Sequence, residues 1–221
     1  MKYIIVITLL FSFKTVVAQD TQLPIKALAS SDTTKPLLFY ITGDGGWTGF
    51  SDAFLQSINK AGYPVLALNA RKYFWKKKAP ASTAAELSQL INKYMVQWKR
   101  DSVVLAGYSF GADVMPFICN YSGELFTKKV KHIVLMLPYT STDFEIHLTE
   151  MMGIATHDAY SVVDEVNKLT KPILFILGTE KGQFPIHSLT IKNYEVITEG
   201  GGHHFDDNPG KVVTLVLPHL K

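Results

Sequence analysis

A single cysteine, Cys119, stands among 221 residues. No disulfide can close within such a chain, so a hydrophobic core must hold it together. Cys119 itself, in Pro116-Phe117-Ile118-Cys119, reads as a small buried apolar residue. Charge is also scarce, with 22 basic and 19 acidic residues making 19% of the chain. So small an excess gives no reason to expect a nucleic-acid partner. No apolar run reaches the roughly 20 residues that a membrane-spanning helix needs. The glycine-rich turn at 43–46 lacks a following Gly-Lys-Ser/Thr, which excludes a phosphate-binding loop of that kind. Repeats, low-complexity tracts and an internal domain boundary are absent too.

What is present begins with a targeting pattern. A short basic start at Met1-Lys2-Tyr3 leads into the apolar Ile4 to Ser12, and Val16-Val17-Ala18 offers small residues for cleavage. Residues 1–18 are therefore expected to be a secretory signal peptide, residues 19–34 a linker, and residues 35–221 one domain. No cysteine adjoins the cleavage site, so lipoprotein processing is not supported. Removing 1–18 takes away Lys2 and Lys14 and lowers the net charge from +3 to +1.

Beyond Thr34, strand and helix signals alternate. Apolar strand patterns lie at 36–41, 63–68, 103–106, 133–137, 173–177 and 194–197, and helical spacing appears at 50–61 and 83–98. Continuous apolar strands between helices imply a mostly parallel central sheet covered by helices on both faces. Too little sequence remains for a large lid.

The chemistry centres on Gly107-Tyr108-Ser109-Phe110-Gly111, directly after the apolar Val103 to Ala106. This is a nucleophile-elbow pattern: a strand, a sharp turn carrying the serine, then a helix. The turn forces the backbone two residues either side into close approach, which explains both glycines. Ser109 is the candidate nucleophile. The Phe110 amide, at a helix N-terminus, is a candidate oxyanion donor, and the Asp44 amide beyond the first strand is the other.

A serine nucleophile needs a base and an orienting acid. The order of candidates is that of an α/β-hydrolase. His203, following Gly200-Gly201-Gly202 after the last strand, is the base candidate in preference to His204. Glu180, in the loop after the penultimate strand, is the acid candidate. Asp143 and Glu145 are its rivals, and Asp206 lies too close to the histidine loop. Neither a metal nor an organic cofactor is needed, and Glu145 with His147 alone does not make a metal site.

Two further segments stand out. Arg71 to Lys78 sets five cations around Tyr73, Phe74 and Trp75, at the carboxyl edge expected to carry Ser109. Lys76, Lys77, Lys78 and Trp75 are candidates for contact with an anionic lipid headgroup or acidic substrate. In 143–147 the alternation puts Phe144 and Ile146 on one face and Asp143, Glu145 and His147 on the other. Glu145 could then face a cationic substrate group.

Several strings occur in one order: Gly-Asp-Gly-Gly-Trp at 43–47, Asn69-Ala70-Arg71-Lys72-Tyr73-Phe74-Trp75, Gly107 to Val114, Phe144-Glu145-Ile146-His147 and Gly202-His203-His204-Phe205. Together they resemble the VirJ/AcvB family of bacterial virulence proteins across essentially the whole mature chain. The resemblance implies a periplasmic α/β-hydrolase domain, without the additional N-terminal domain of longer relatives. It also implies an association with type IV secretion, and for some members hydrolysis of aminoacyl-phosphatidylglycerol, chiefly the lysyl form. Relatives tend to carry the acid three residues after the glycine of the penultimate-strand loop. Here that position is Lys181, one beyond Glu180. The expectation is thus an exported serine esterase acting on an anionic phospholipid ester, with periplasmic secretion components as further partners. The alternatives are a non-catalytic periplasmic binding or assembly factor on the same scaffold, and an esterase or thioesterase for a soluble acyl substrate.

Overall fold

The computed structural model describes residues 23–147, 160–179 and 184–221. The expected signal peptide, Glu180 and Lys181 lie outside the described residues. Seven strands form the central sheet: β1 (Ile25–Leu28), β2 (Leu37–Ile41), β3 (Val65–Leu68), β4 (Val103–Tyr108), β5 (Val130–Met136), β8 (Ile173–Leu177) and β9 (Tyr194–Thr198). A two-stranded ribbon of β6 (Ser141–Thr142) and β7 (Tyr160–Ser161) stands apart from it. The sheet order is β1-β3-β2-β4-β5-β8-β9. Every pairing in the sheet is parallel except the antiparallel contact of β1 with β3.

β1 corrects one boundary. The stretch read as a linker contains an edge strand in register with β3, Ile25 opposite Leu68 and Leu28 opposite Val65. Four residues on an edge bury too little for a strong apolar pattern, and three of the four are only half-buried.

The central strands are apolar throughout because both faces are covered. In β2, Leu37, Phe39 and Ile41 join one core cluster while Leu38 and Tyr40 join the other. The first cluster takes Leu87, Ile91 and Met95 of α3 (Pro80–Gln97) and most of α4 (Phe110–Tyr121). The second takes Phe54, Leu55 and Ile58 of α1 (Gly49–Lys60) and Val212, Val213 and Val216 of the helix Pro209–Val216. Cys119 is buried in the first cluster, and burial pushes its thiol up to about 12, so it remains a protonated packing group. Among the described residues no helix is long and apolar enough to cross a membrane.

Candidate active site

β2 and β4 run side by side, with Ile41 opposite Gly107, so the loops leaving their carboxyl ends meet. β4 ends at Tyr108, α4 begins at Phe110, and Ser109 forms the turn between them with φ 51 and ψ −123. That combination is one L-residues rarely adopt. The turn is pinned by the Ser109 N–H, which donates to the Met136 carbonyl at 2.8 Å, and by the Ser109 carbonyl, which accepts the Ala112 N–H at 2.7 Å. Both flanking glycines are required sterically. A β-carbon on Gly107 would sit 2.2 Å from the Gly111 carbonyl oxygen, and one on Gly111 would sit 2.2 Å from that of Ile41. Backbone cannot yield to either.

The glycine-rich loop after β2 abuts this elbow. A β-carbon on Gly43 would lie 3.1 Å from the Tyr108 ring and 3.4 Å from the Ser109 β-carbon. Asp44 follows immediately, its Oδ1 accepting the Gly45 N–H at 2.8 Å. The Asp44 and Phe110 amides thus leave two adjoining elements beside Ser109.

His203 Nε2 lies 3.0 Å from Ser109 Oγ. When the serine hydroxyl donates in this contact, the ring proton is on Nδ1. The loop that delivers the ring is unusual. Gly201 has φ +92, and Phe205, Asp206 and Asp207 take φ values of 51, 54 and 51 in succession. Three consecutive non-glycine residues in the left-handed region are unfavourable by roughly 1–2 kcal/mol each. Phe205 anchors them, being fully buried beside Phe50 and Tyr108. The Tyr108 hydroxyl donates to the His203 carbonyl. His204 is exposed and turns its ring nearly perpendicular to that of His203.

Four supporting residues carry no recognisable sequence signal. Tyr108 is a variable position of the elbow pattern, yet it holds the His203 backbone. Asp113, in the first turn of α4 and buried, accepts the Tyr139 N–H at 2.6 Å. Tyr139 in turn lies 5.6 Å from the His203 ring. Asp207 lines a cavity of about 530 Å³ together with Asp44, Tyr108 and His203.

The basic segment is less uniform than its composition suggests. Tyr73 and Phe74 belong to the core, and of the three aromatics only Trp75 is exposed, at 49%. Alternation of exposure over so short a stretch follows from α2 (Ala70–Tyr73), whose last turn directs Tyr73 inward. Lys78 also turns back: its Nζ lies 4.1 Å over the Tyr73 ring and 3.9 Å from Glu86. Lys77 Nζ is 3.5 Å from Asp143 Oδ2, while Lys76 is exposed.

Residues 143–147 separate their faces as expected, but through a bend rather than a strand. Phe144 has φ 63 and is fully buried, with Ile146 nearly so. Asp143 Oδ1 accepts the Glu145 N–H at 3.1 Å, and its Oδ2 meets His147 Nε2 at 2.7 Å. The Asp143 carboxylate is therefore committed to Glu145, His147 and Lys77. Asp143, Glu145 and His147 bring ligand atoms within 4.8 Å of one another. Lys77 already supplies a cation there. The two segments are joined: Lys78 N–H donates to the Phe144 carbonyl at 3.1 Å, and Ile146 N–H to that of Phe74 at 2.9 Å. Phe74 packs edge-on against Phe110 at 5.1 Å, which sets both segments beside the elbow.

Solved structures share this architecture at low identity. Est1E from Butyrivibrio proteoclasticus is 15% identical over 88% of this chain and 92% of its own, with TM-score 0.59. A proline iminopeptidase from Mycobacterium smegmatis is 11% identical over 89% and 93%, with TM-score 0.61. The Paleococcus ferrophilus monoacylglycerol lipase is 14% identical over 90% and 99%, with TM-score 0.58. These likenesses establish the α/β-hydrolase fold. No curated protein matches the chain by sequence. The sequence model of the bacterial virulence protein VirJ, however, matches residues 36–221, the whole of the sheet from β2 onward together with the elbow and the histidine loop, and the chain belongs to that family.

Proposed function

We propose that this protein is an exported, periplasmic serine esterase that cleaves an ester of an anionic phospholipid, with aminoacyl-phosphatidylglycerol, and its lysyl form first, as the substrate. The observation that carries the hydrolase reading is the 3.0 Å contact of His203 Nε2 with Ser109 Oγ at a strained strand-to-helix turn. Nothing in core packing requires that contact.

In this mechanism Ser109 Oγ attacks the ester carbonyl carbon while its proton passes to His203 Nε2. The carbonyl oxygen becomes an oxyanion held by the Asp44 and Phe110 amides, the latter aided by the positive end of α4. Collapse breaks the ester C–O bond, and His203 protonates the departing lipid alkoxide oxygen, which leaves as the alcohol. His203 then takes a proton from water, whose oxygen attacks the acyl-enzyme, and returns it to Ser109 as the free acid leaves. Glu180 is the proposed partner that orients His203.

The lipid part of the reading rests on the family and on the basic loop. Trp75 and Lys76 are exposed beside the elbow, with Lys77 next to them. Each cation near an anionic surface adds about 1 kcal/mol of attraction, and an exposed tryptophan suits the headgroup layer. Glu145 is proposed to face a cationic part of the substrate.

The test supplies the mature protein with vesicles containing lysyl-phosphatidylglycerol and measures free lysine, alongside hydrolysis of a soluble ester. Wild type is expected to release lysine, and Ser109→Ala to release none. A Trp75→Ala/Lys76→Ala/Lys77→Ala variant should lose vesicle binding but keep soluble-ester turnover. Turnover of the soluble ester alone by wild type would remove the lipid substrate and leave the esterase.

A further inference from the structure

Tyr108 precedes the nucleophile, and strand alternation decides which way it points. Val104, Ala106 and Tyr108 lie on the face of β4 that packs with α1 and the helix Pro209–Val216. The loop that carries His203 runs directly into that helix and buries Phe205 on the same face. The Tyr108 ring therefore stands where several elements meet. It lies 5.5 Å from Phe50 of α1, 6.4 Å from Phe205 and 5.9 Å from the His203 ring. The glycine-rich loop reaches it too, since a β-carbon on Gly43 would come within 3.1 Å of the ring. Burial first, then Asp44, Asp207 and Tyr139, push its hydroxyl above the ordinary range, so it stays a hydrogen-bond donor.

That donor goes to the His203 carbonyl. The loop needs such a tie. Gly201 and Gly202 have φ +92 and +59, and residues 205–207 are again at positive φ. A run of unfavourable angles persists only where surrounding contacts hold it. Within the loop the Asp206 N–H donates to the Gly201 carbonyl at 3.2 Å, and the Asn208 N–H to that of Phe205 at 3.0 Å. These bonds close the turn on itself, and Phe205 anchors its far end. Neither fixes where residue 203 stands relative to the elbow. The Tyr108 hydroxyl does so, from the position next to Ser109.

Resting on the serine esterase reading, we infer that Tyr108 is a positioning residue: by fixing the His203 main chain it sets the ring Nε2 against Ser109 Oγ. Nucleophile and base are then carried by one tied piece of backbone. The role differs from that of a triad acid, which acts on the imidazole through its other ring nitrogen. The contact it protects is 3.0 Å long, so a small retreat of residue 203 takes it out of hydrogen-bond range.

The experiment measures the rate constant for fluorophosphonate labelling of Ser109 in wild type, Tyr108→Phe, His203→Ala and Tyr108→Phe/His203→Ala. Phenylalanine keeps the ring and its packing and removes only the hydroxyl. Tyr108→Phe should label roughly tenfold more slowly than wild type, short of the roughly 10²-fold that a misplacement of about 1 Å costs. With His203 absent, the same substitution should change the rate by less than about twofold, because Tyr108 acts through His203. A merely structural role would slow both pairs alike. Hydrogen exchange gives a readout independent of reactivity. The amides of residues 203–208 should exchange faster in Tyr108→Phe, while those of α3 should not. Labelling of Tyr108→Phe at the wild-type rate, equal slowing with and without His203, or unchanged exchange in the loop would overturn the positioning role and leave the esterase. No labelling of wild type, with loop exchange raised by Tyr108→Phe, would overturn the esterase and leave the tie between Tyr108 and the loop.

Discussion

Replacing Ser109 by alanine and, separately, by glycine should produce two inactive proteins whose stabilities are ordered contrary to custom. Both lose the hydroxyl and its 3.0 Å contact with His203, so that loss cancels between them. The difference that remains is the backbone. With φ 51 and ψ −123, Ser109 lies outside even the small left-handed basin, which places its strain in the upper part of the usual range, about 2–3 kcal/mol. Alanine keeps that strain and glycine releases it. Against this, glycine loses up to about 1 kcal/mol more chain entropy on folding. It also gives up one buried carbon worth at most about 0.8 kcal/mol. Ser109→Gly should therefore be more stable than Ser109→Ala by about 0.5–1.5 kcal/mol. For a domain of this size that is about 1–6 °C in Tm. Thermal melts and urea titrations of the two proteins side by side would measure it. At an unstrained position glycine is the less stable of the two. Finding that order here would refute the strained elbow.

Other outcomes follow from the same geometry. His203→Ala should reduce ester hydrolysis by about as much as Ser109→Ala, 10³-fold or more, while His204→Ala, altering an exposed ring, should stay within about threefold of wild type; steady-state kinetics on one soluble ester decide both. Gly111→Ala should cost more than the ordinary overpacking penalty of about 1–3 kcal/mol, because its β-carbon would lie 2.2 Å from the Ile41 carbonyl oxygen; a melt close to wild type would contradict this. His132 has a lowered pKa through burial first and His219 second, partly opposed by Glu195, and its Nε2 has no hydrogen-bond partner among the described residues. Below pH 6.5 the unfolded histidine takes up a proton that the folded one resists, so stability should fall as pH drops from about 6.5 toward 5. His132→Gln should flatten that part of a Tm-against-pH curve.

Much of this was legible in the sequence where backbone geometry restricts residue choice. Gly107 and Gly111 disclose the elbow because no other residue fits beside the Gly111 and Ile41 carbonyls. The apolar strands disclose a sheet buried on both faces, since Leu37 to Ile41 have no solvent side. His203 was distinguishable from His204 by the glycines before it, which permit the chain to turn back. Less legible were features decided by tertiary contact. β1 is four residues on an edge, too short for periodicity to register. Composition groups Tyr73 and Phe74 with Trp75 in one aromatic surface, yet packing against Phe110 and Phe144 draws Phe74 inside. Lys78 is indistinguishable in sequence from Lys76 and Lys77, although Tyr73 and Glu86 hold it. The left-handed run at 205–207 has no sequence signature, because Phe ordinarily avoids that conformation and Asp, which tolerates it, is not confined to it.

The central claim is that Ser109, activated by His203, is a nucleophile. Mass spectrometry of the folded protein after exposure to a fluorophosphonate tests it most directly. The account requires a single adduct, mapped to Ser109 by peptide sequencing, abolished in Ser109→Ala and strongly slowed in His203→Ala. A folded wild-type protein that takes up no label, or a Ser109→Ala protein that labels as wild type does, would contradict it.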